Sequence, residues 1–288
     1  MRIGIGLPNP VPGTPGERLV EWGVKAEERG FAGLATIDRI AYPSHDSLAT
    51  LAAVAGATSR IGLITNILLA PAYPPGLLAR TATTIDRISG GRLTLGLAPG
   101  GRPDDYHVAG ADFDNRGQTF DDALRLMHQV WAGEPVAGSG KPVAPTPTKD
   151  ERVPVVIGGG GGGRAVRRAV QWGAGWTAGG GPLEMTLPLV ERVRHAWRVG
   201  GQAGEPRLVA LQYFSLGADA EAESRAYLKD YYDYVGPYAG AIADGALRTE
   251  AAIRDTVKAY ADAGFTELYF DPTVDTLDQV DRLADLVL

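Results

Sequence analysis

Short apolar runs rich in β-branched residues alternate along this chain with longer stretches whose apolar positions recur every three to four residues. The first pattern marks strands buried on both faces and the second marks helices with one apolar face, and the pair repeats roughly every 30 residues. The pattern predicts strands over Ile3–Leu7, Gly33–Asp38, Ile61–Ala70, Arg92–Ala98, Val155–Ile157, Gly175–Ala178, Leu208–Leu216 and Glu267–Phe270. It predicts helices over Gly16–Gly30, Asp46–Ser59, Gly76–Ile88, Phe120–Trp131, Arg164–Trp172, Met185–Trp197, Ala220–Tyr234, Glu250–Ala263 and Leu277–Leu286. Gly30 is a helix stop and Asp46 a capping residue.

Each of the eight strands is followed by at least one helix, which implies a parallel sheet with helices outside it. Eight such units in 288 residues favour an α/β fold of the closed (β/α)8 TIM-barrel type over an open doubly wound sheet. The Pro/Gly-rich stretch Gly133–Pro154 reads as an insertion after strand four, because neither half of the chain alone would complete a sheet. The two helices after strand seven read as a second insertion. The expectation is a single domain over residues 1–288.

Active sites of such barrels lie at the carboxyl ends of the strands. The residues there are Pro8–Asn9, Asp38–Arg39, Asn66, Pro99–Arg102, Gly158–Gly163, Gly179–Gly181, Gly217 and Asp271–Pro272. The sharpest feature is the run of six glycines, Gly158, Gly159, Gly160, Gly161, Gly162 and Gly163, between a predicted strand and a predicted helix. Backbone N–H groups in such a turn can close on a phosphate, and the helix dipole adds to the attraction. A ligand-free turn is the alternative, although one or two glycines would serve for that. Gly179, Gly180 and Gly181 close the next strand and make a joint phosphate cradle possible. The run also satisfies G-x-G-x-x-G, but it falls in the fifth unit and no acidic strand end follows about 20 residues later, so the dinucleotide fingerprint is incomplete. No Gly-Lys-Ser/Thr occurs.

Composition narrows the chemistry further. The formal charge of −6 argues against general affinity for nucleic acid or an anionic membrane. No apolar stretch reaches membrane-spanning length, and MRIGIGLPNP reads as a first strand rather than a signal peptide. A cytoplasmic protein is the expectation. The absence of cysteine excludes disulfides, thiolate metal sites and cysteine nucleophiles. None of the five lysines falls at a strand end, which disfavours Schiff-base chemistry. His45, His107, His128 and His195 form no metal-binding spacing. Asp38 and Asp271 are too few for a carboxylate metal site. Asp38, Arg39, His45 and His107 remain as loop-borne polar groups. A barrel with phosphate loops and few catalytic side chains points to a cofactor that carries the reaction.

The stretch LATLAAVAGATSRIGLITNILLAPAYPPGLLARTATTIDRISGGRLTLGLAPGGRPDDYHVAGADFDNRG resembles the bacterial luciferase-like flavin-dependent oxidoreductases. The matching motifs are Ala52–Leu63, Pro75–Arg80, Ile85–Gly96, Val155–Gly160 and Trp172–Trp176. The resemblance implies a barrel that binds reduced FMN or coenzyme F420 at the strand ends. A backbone bulge near Thr65 and Asn66 would pack against the cofactor ring. The phosphate would sit on Gly158–Gly163 and Gly179–Gly180, with Gly100 alongside.

Many relatives carry a histidine directly after the acidic residue that ends strand two. Here the chain reads Ile37-Asp38-Arg39-Ile40, so any mechanism that relies on that base is in doubt. Asp38, Arg39 and His45 become the candidate catalytic residues. Arg39 either binds an anionic substrate or the flavin, or pairs with a neighbouring carboxylate. Arg116 also matches the family, where anchoring onto Asp121 or Asp122 is the plainer expectation. Tyr227–Tyr238 combines helix packing with a possible wall for an apolar substrate.

The expected activity is a monooxygenation of a small organic substrate by reduced FMN and O2, with a separate flavin reductase as partner and a homodimer as the assembly. F420-dependent hydride transfer, a non-catalytic flavin-binding barrel and an unrelated phosphosugar enzyme are the alternatives.

Overall fold

In a computed structural model the protein is described at every residue except Ala137, Ser139, Asp150, Glu151, Gly161, Ala218 and Asp219. The chain begins with β1 (Arg2–Gly6), α1 (Gly16–Arg29), β2 (Gly33–Thr36), α2 (Ser47–Ala57), β3 (Gly62–Leu69) and α3 (Pro75–Ser89). Next come β4 (Leu93–Ala98), α4 (Pro103–Ala109), α5 (Arg116–Trp131), β5 (Val155–Gly158), α6 (Gly163–Trp172), β6 (Gly175–Thr177) and α7 (Leu183–Val199). The last part holds β7 (Arg207–Phe214), α8 (Ala220–Tyr231), α9 (Tyr238–Asp244), α10 (Glu250–Asp262), β8 (Glu267–Pro272) and α11 (Asp278–Val287). The eight strands pair in parallel, in chain order, and β8 closes on β1 through pairs such as Ile5 with Phe270.

All eight strands expected from the sequence form, with ends displaced by a few residues. Two helices carry no expectation: α4 and α9 are seven-residue helices, too short to develop a helical period. The connection from β4 to β5 therefore holds α4, α5 and residues 132–154. The connection from β7 to β8 holds α8, α9 and α10.

Strand alternation sorts side chains between two cores. Outward residues, among them Ile5, Leu34, Leu63, Leu95, Ile157, Leu208 and Phe270, pack beneath the helices in the large core. Inward residues Ala35, Ile64, Val156, Val209 and Tyr269 form the middle layer of the barrel interior. Tyr269 fits because β1 and β2 place glycine beside it: a Cβ at Gly4 would stand 2.2 Å from the ring.

Helix ends follow their sequence signals. Asp46 accepts from the Ala49 N–H at 2.6 Å and caps α2, while Gly30, with φ of 93°, ends α1 in a left-handed turn. Glu27 of α1 accepts from the backbone N–H groups of Ser59, Arg60 and Ile61 and so fixes the approach to β3.

Candidate active site at the carboxyl ends of the strands

The barrel interior is polar at both ends, and the two ends differ. At the amino end Glu267 accepts from Nε and Nη2 of Arg207, at 2.8 and 3.0 Å, and from Arg2 at 2.6 Å, while Nη1 of Arg207 donates to Thr94. Tyr269 donates to the same carboxylate. Burial alone would raise the Glu267 carboxyl, but hydrogen bonds and charge from Arg207 and Arg2 hold it below the usual range. The floor of the barrel is thus a closed ionic network.

At the carboxyl end the pairing is incomplete. Asn66 of β3 accepts from the Thr177 hydroxyl of β6 at 2.7 Å. Strands β4 and β5 separate these two in the sheet, so their bond crosses the lumen. The Asn66 Nδ2 has no partner among the described residues. Asp271 lies two positions beyond the inward Tyr269 on β8, and therefore faces the same interior. It is 2% exposed, and neither carboxylate oxygen has a hydrogen-bond partner among the described residues. Burial pushes its carboxyl well above the ordinary range. Room for it comes from Gly6 on β1, where a Cβ would stand 1.8 Å from Oδ1.

The expected bulge in β3 is present. The β3–β4 register shifts between Thr65 and Leu68, and the Asn66–Ile67 peptide is cis. Asn66 lies two positions beyond the inward Ile64 and so faces the lumen beside this irregularity. Thr65 does not share that role with its side chain, because its hydroxyl is committed to β4, donating to the Gly96 carbonyl and accepting from the Gly96 N–H.

Around the mouth the other candidate residues hold different positions. Asp38 follows β2 and accepts from the Leu69 N–H at 3.0 Å and from the Tyr73 hydroxyl. Burial raises its carboxyl to about 7, against the pull of those two donors. Arg39 is not free for a substrate anion: Nη1 meets Asp105 at 2.7 Å and Nη2 meets Asp104 at 2.9 Å, with the guanidinium buried. Of the two roles open to Arg39, the structure shows the ion pair, with carboxylates from α4 rather than with Asp38. His45 donates from Nε2 to the Thr14 carbonyl at 2.8 Å and its backbone N–H bonds Asn9, so it fastens the loop after β1.

Arg116 does not anchor onto Asp121 or Asp122. It donates to the Phe113 carbonyl and covers the Phe113 ring, while Asp121 pairs with Arg168 and Arg167, and Asp122 with Arg125.

The glycines divide by environment. Gly158 sits where Ile67, Ala98 and Thr177 converge, and Gly180 packs near Leu211. Gly100 has a φ of 68° and lies against Leu69. Gly160, Gly162, Gly163 and Gly179 stand in open space, and Gly162 and Gly163 begin α6. Gly159 offers its carbonyl to the Trp176 indole N–H. Gly161 lies outside the described residues.

Helix α8 covers one side of the mouth. Its Tyr227, Leu228 and Tyr231 pack with Val11, Ile37, Leu211 and Tyr213 from the strand ends. Arg102, after β4, stacks its guanidinium 4.5 Å from the Tyr231 ring centre and 4.4 Å from that of Tyr234. Tyr238 is instead exposed. It lines a neighbouring, mainly apolar cavity of about 750 Å³, with Leu183, Met185, Gln212, Tyr213 and Tyr260.

The family model "Luciferase-like monooxygenase" matches residues 1–270. Three solved structures share the fold. The monooxygenase RslO1 from Streptomyces bottropensis superposes with a TM-score of 0.81 at 18% identity, covering 99% of this chain and 97% of that one. An F420-dependent secondary alcohol dehydrogenase, solved with an F420–acetone adduct, gives 0.80 at 16% identity, with coverage of 99% and 98%. The oxygenating constituent of 3,6-diketocamphane monooxygenase from Pseudomonas putida, in complex with FMN, gives 0.76 at 16% identity, with coverage of 100% and 97%. At these identities the structures speak for the fold alone, whereas the sequence model extends over nearly the whole chain. On that match, this chain belongs to the luciferase-like monooxygenase family.

Proposed function

We propose that the protein is a flavin-type oxidoreductase that holds reduced FMN across the barrel mouth and oxygenates a small organic substrate with O2. The observation that carries the proposal is the upper layer of the lumen. There the Asn66 Nδ2 and both Asp271 oxygens are buried without partners among the described residues, above a packed apolar layer. Buried polar groups are nearly always completed by protein, water or a ligand, and these stand at the end of the barrel where the sites of this fold lie. A heterocycle rich in carbonyls and ring nitrogens fits that donor and acceptor set. The open backbone at Gly160, Gly162, Gly163 and Gly179, at the start of α6, suits its phosphate.

FMN would supply the redox chemistry, and the chain's own residues would bind, orient and exclude water. Asn66 and Asp271 would face the ring, the β3 bulge would support it, and the tyrosines of α8 with Arg102 would keep bulk solvent from that side. A separate reductase would deliver the reduced cofactor, and a homodimer packed through barrel helices is the expected assembly.

F420-dependent hydride transfer is the second reading. It is favoured by the fold shared with the F420-dependent alcohol dehydrogenase. The Arg39 that stands after Asp38 weighs against a histidine base of the kind many relatives use.

Titration of the purified protein with FMN and with F420, followed by cofactor fluorescence, tests the proposal. Binding of one cofactor alone at micromolar concentration selects the chemistry, and failure of both to bind overturns the proposal. Gly160→Val adds bulk where no side chain stands within 4 Å, so it should leave the fold intact and weaken cofactor binding by about tenfold or more.

A further inference from the structure

Asp271 departs from every other buried carboxyl of the barrel. Glu267 has two arginines and a tyrosine, Asp105 has Arg39 and the Ala41 N–H, Asp38 has Tyr73 and the Leu69 N–H, and Asp86 has the Thr148 N–H. Asp271 is as buried as these and has no hydrogen-bond partner among the described residues. Its surroundings are phenols rather than cations. Tyr213 stands beside it in register on β7, and Tyr227 of α8 and Tyr232 just after it pack with Tyr213. The Tyr227 hydroxyl is itself unpartnered, and those of Tyr213 and Tyr232 bond each other.

The position has no structural need for a carboxyl. The neighbouring strand gives up a side chain at Gly6 to admit it. A leucine of the same branched shape would fill that space without leaving polar atoms unpaired. A buried group kept at this cost, aimed into the lumen at the end where this fold places its sites, is one that a ligand completes.

We propose that Asp271 is a ligand-contacting residue that acts as a neutral carboxyl, pairing its O–H and C=O with a donor–acceptor edge of the molecule bound at the mouth. A protonated carboxyl presents one donor and one acceptor side by side, as a primary amide does. It therefore selects a neutral lactam or imide edge and rejects an anionic one, for which a cation would be the suitable partner. Flavin and deazaflavin rings share an edge of that kind, so Asp271 would serve either cofactor. The unpaired Nδ2 of Asn66 supplies a further donor in the same layer. The surrounding burial keeps the proton on Asp271.

The inference rests on the cofactor-binding proposal above, and its test separates the two. FMN and F420 are titrated into the wild type, Asp271→Asn and Asp271→Leu, with cofactor fluorescence as the readout and no substrate required. Asp271→Leu should weaken binding by about ten- to a hundredfold, because the ligand's edge is left unpaired. Asp271→Asn keeps a donor and an acceptor in the same geometry, and should bind within a few fold of the wild type. Circular dichroism and thermal melts confirm that each variant is folded. Should Asp271→Leu prove misfolded, Asp271→Asn decides alone: near-native affinity supports a neutral pairing group, and a large loss overturns it. Equal affinity in the wild type and a folded Asp271→Leu removes Asp271 from the site but leaves the cofactor proposal standing. A wild type that binds neither cofactor overturns both.

Discussion

Strand β8 carries two buried acids four residues apart, Glu267 and Asp271, which face the same lumen from its two ends. They are 3% and 2% exposed, so burial does not distinguish them. Partners do. Glu267 sits in a network of Arg207, Arg2, Thr94 and Tyr269 that satisfies its charge, while Asp271 stands beside Tyr213 with both oxygens unpaired among the described residues. One carboxyl is held below its ordinary range and the other is pushed above it. The floor of the barrel is built to be stable by itself, and the mouth is built to be completed by something else. A buried charge persists only when paired, and a buried unpaired acid persists only as the neutral form.

The largest effect should come from breaking the floor. Arg207→Leu removes two hydrogen bonds and most of the positive charge from Glu267, leaving only the largely exposed Arg2. It should cost about 3–5 kcal/mol of stability in denaturant unfolding, the range for stripping one partner from a buried pair. A loss well under 1 kcal/mol would show that the network is solvated. Because the Glu267 carboxyl is held down in the folded protein, its contribution is present above the ordinary carboxylate pKa and is lost as pH falls through the folded value. The cost of Arg207→Leu should therefore shrink in acid.

Arg39 sharpens the comparison, since it stands at the mouth but is wired like the floor. Arg39→Leu leaves Asp105 buried with only the Ala41 N–H and frees the anchor of α4. Its expected cost is about 3 kcal/mol, measured by thermal or urea unfolding. Cofactor affinity in the folded fraction should change little. An Arg39→Leu protein of native stability with strongly impaired cofactor binding would move Arg39 into the binding machinery.

The pH dependence at Asp271 has the opposite sign. Between the ordinary aspartate pKa and the raised folded value, folded wild type holds a proton on Asp271 that the unfolded chain has released. Its stability therefore falls as pH rises through that window, by up to about 1.4 kcal/mol per pH unit. Asp271→Asn has no such proton. It should gain on the wild type as pH rises above about 4. A constant difference across that range would mean that Asp271 ionises normally. A floor acid mutated in this way should lose stability rather than gain it, which is the contrast in its simplest form.

Much of this was legible in the sequence. Alternation of apolar runs with helical stretches, repeated eight times, leads to a closed barrel because a parallel sheet with helices on one side has few other ways to bury both faces of its strands. The glycine clusters could be placed at strand ends from the same pattern, as could Asp38, Asn66 and Asp271. Two short helices, α4 and α9, could not, because seven residues are too few for a period. Arg39 could be narrowed to two roles but not to one, since its carboxylates lie 65 and 66 residues away on α4.

What the sequence determined by itself is the eight strands, the longer helices, their order and the end of the barrel where chemistry gathers, since these follow from local periodicity and from the residue types at strand ends. Only the tertiary structure decided which of those polar residues are already spent. Asp38, Arg39, His45 and Thr65 each find a partner within the protein, whereas Asp271 and the Asn66 amide nitrogen find none among the described residues. That distinction depends on pairings across tens of residues and on whether a strand position faces the lumen or the helices. Both are fixed by barrel closure, when the final register sets which atoms come within hydrogen-bonding distance.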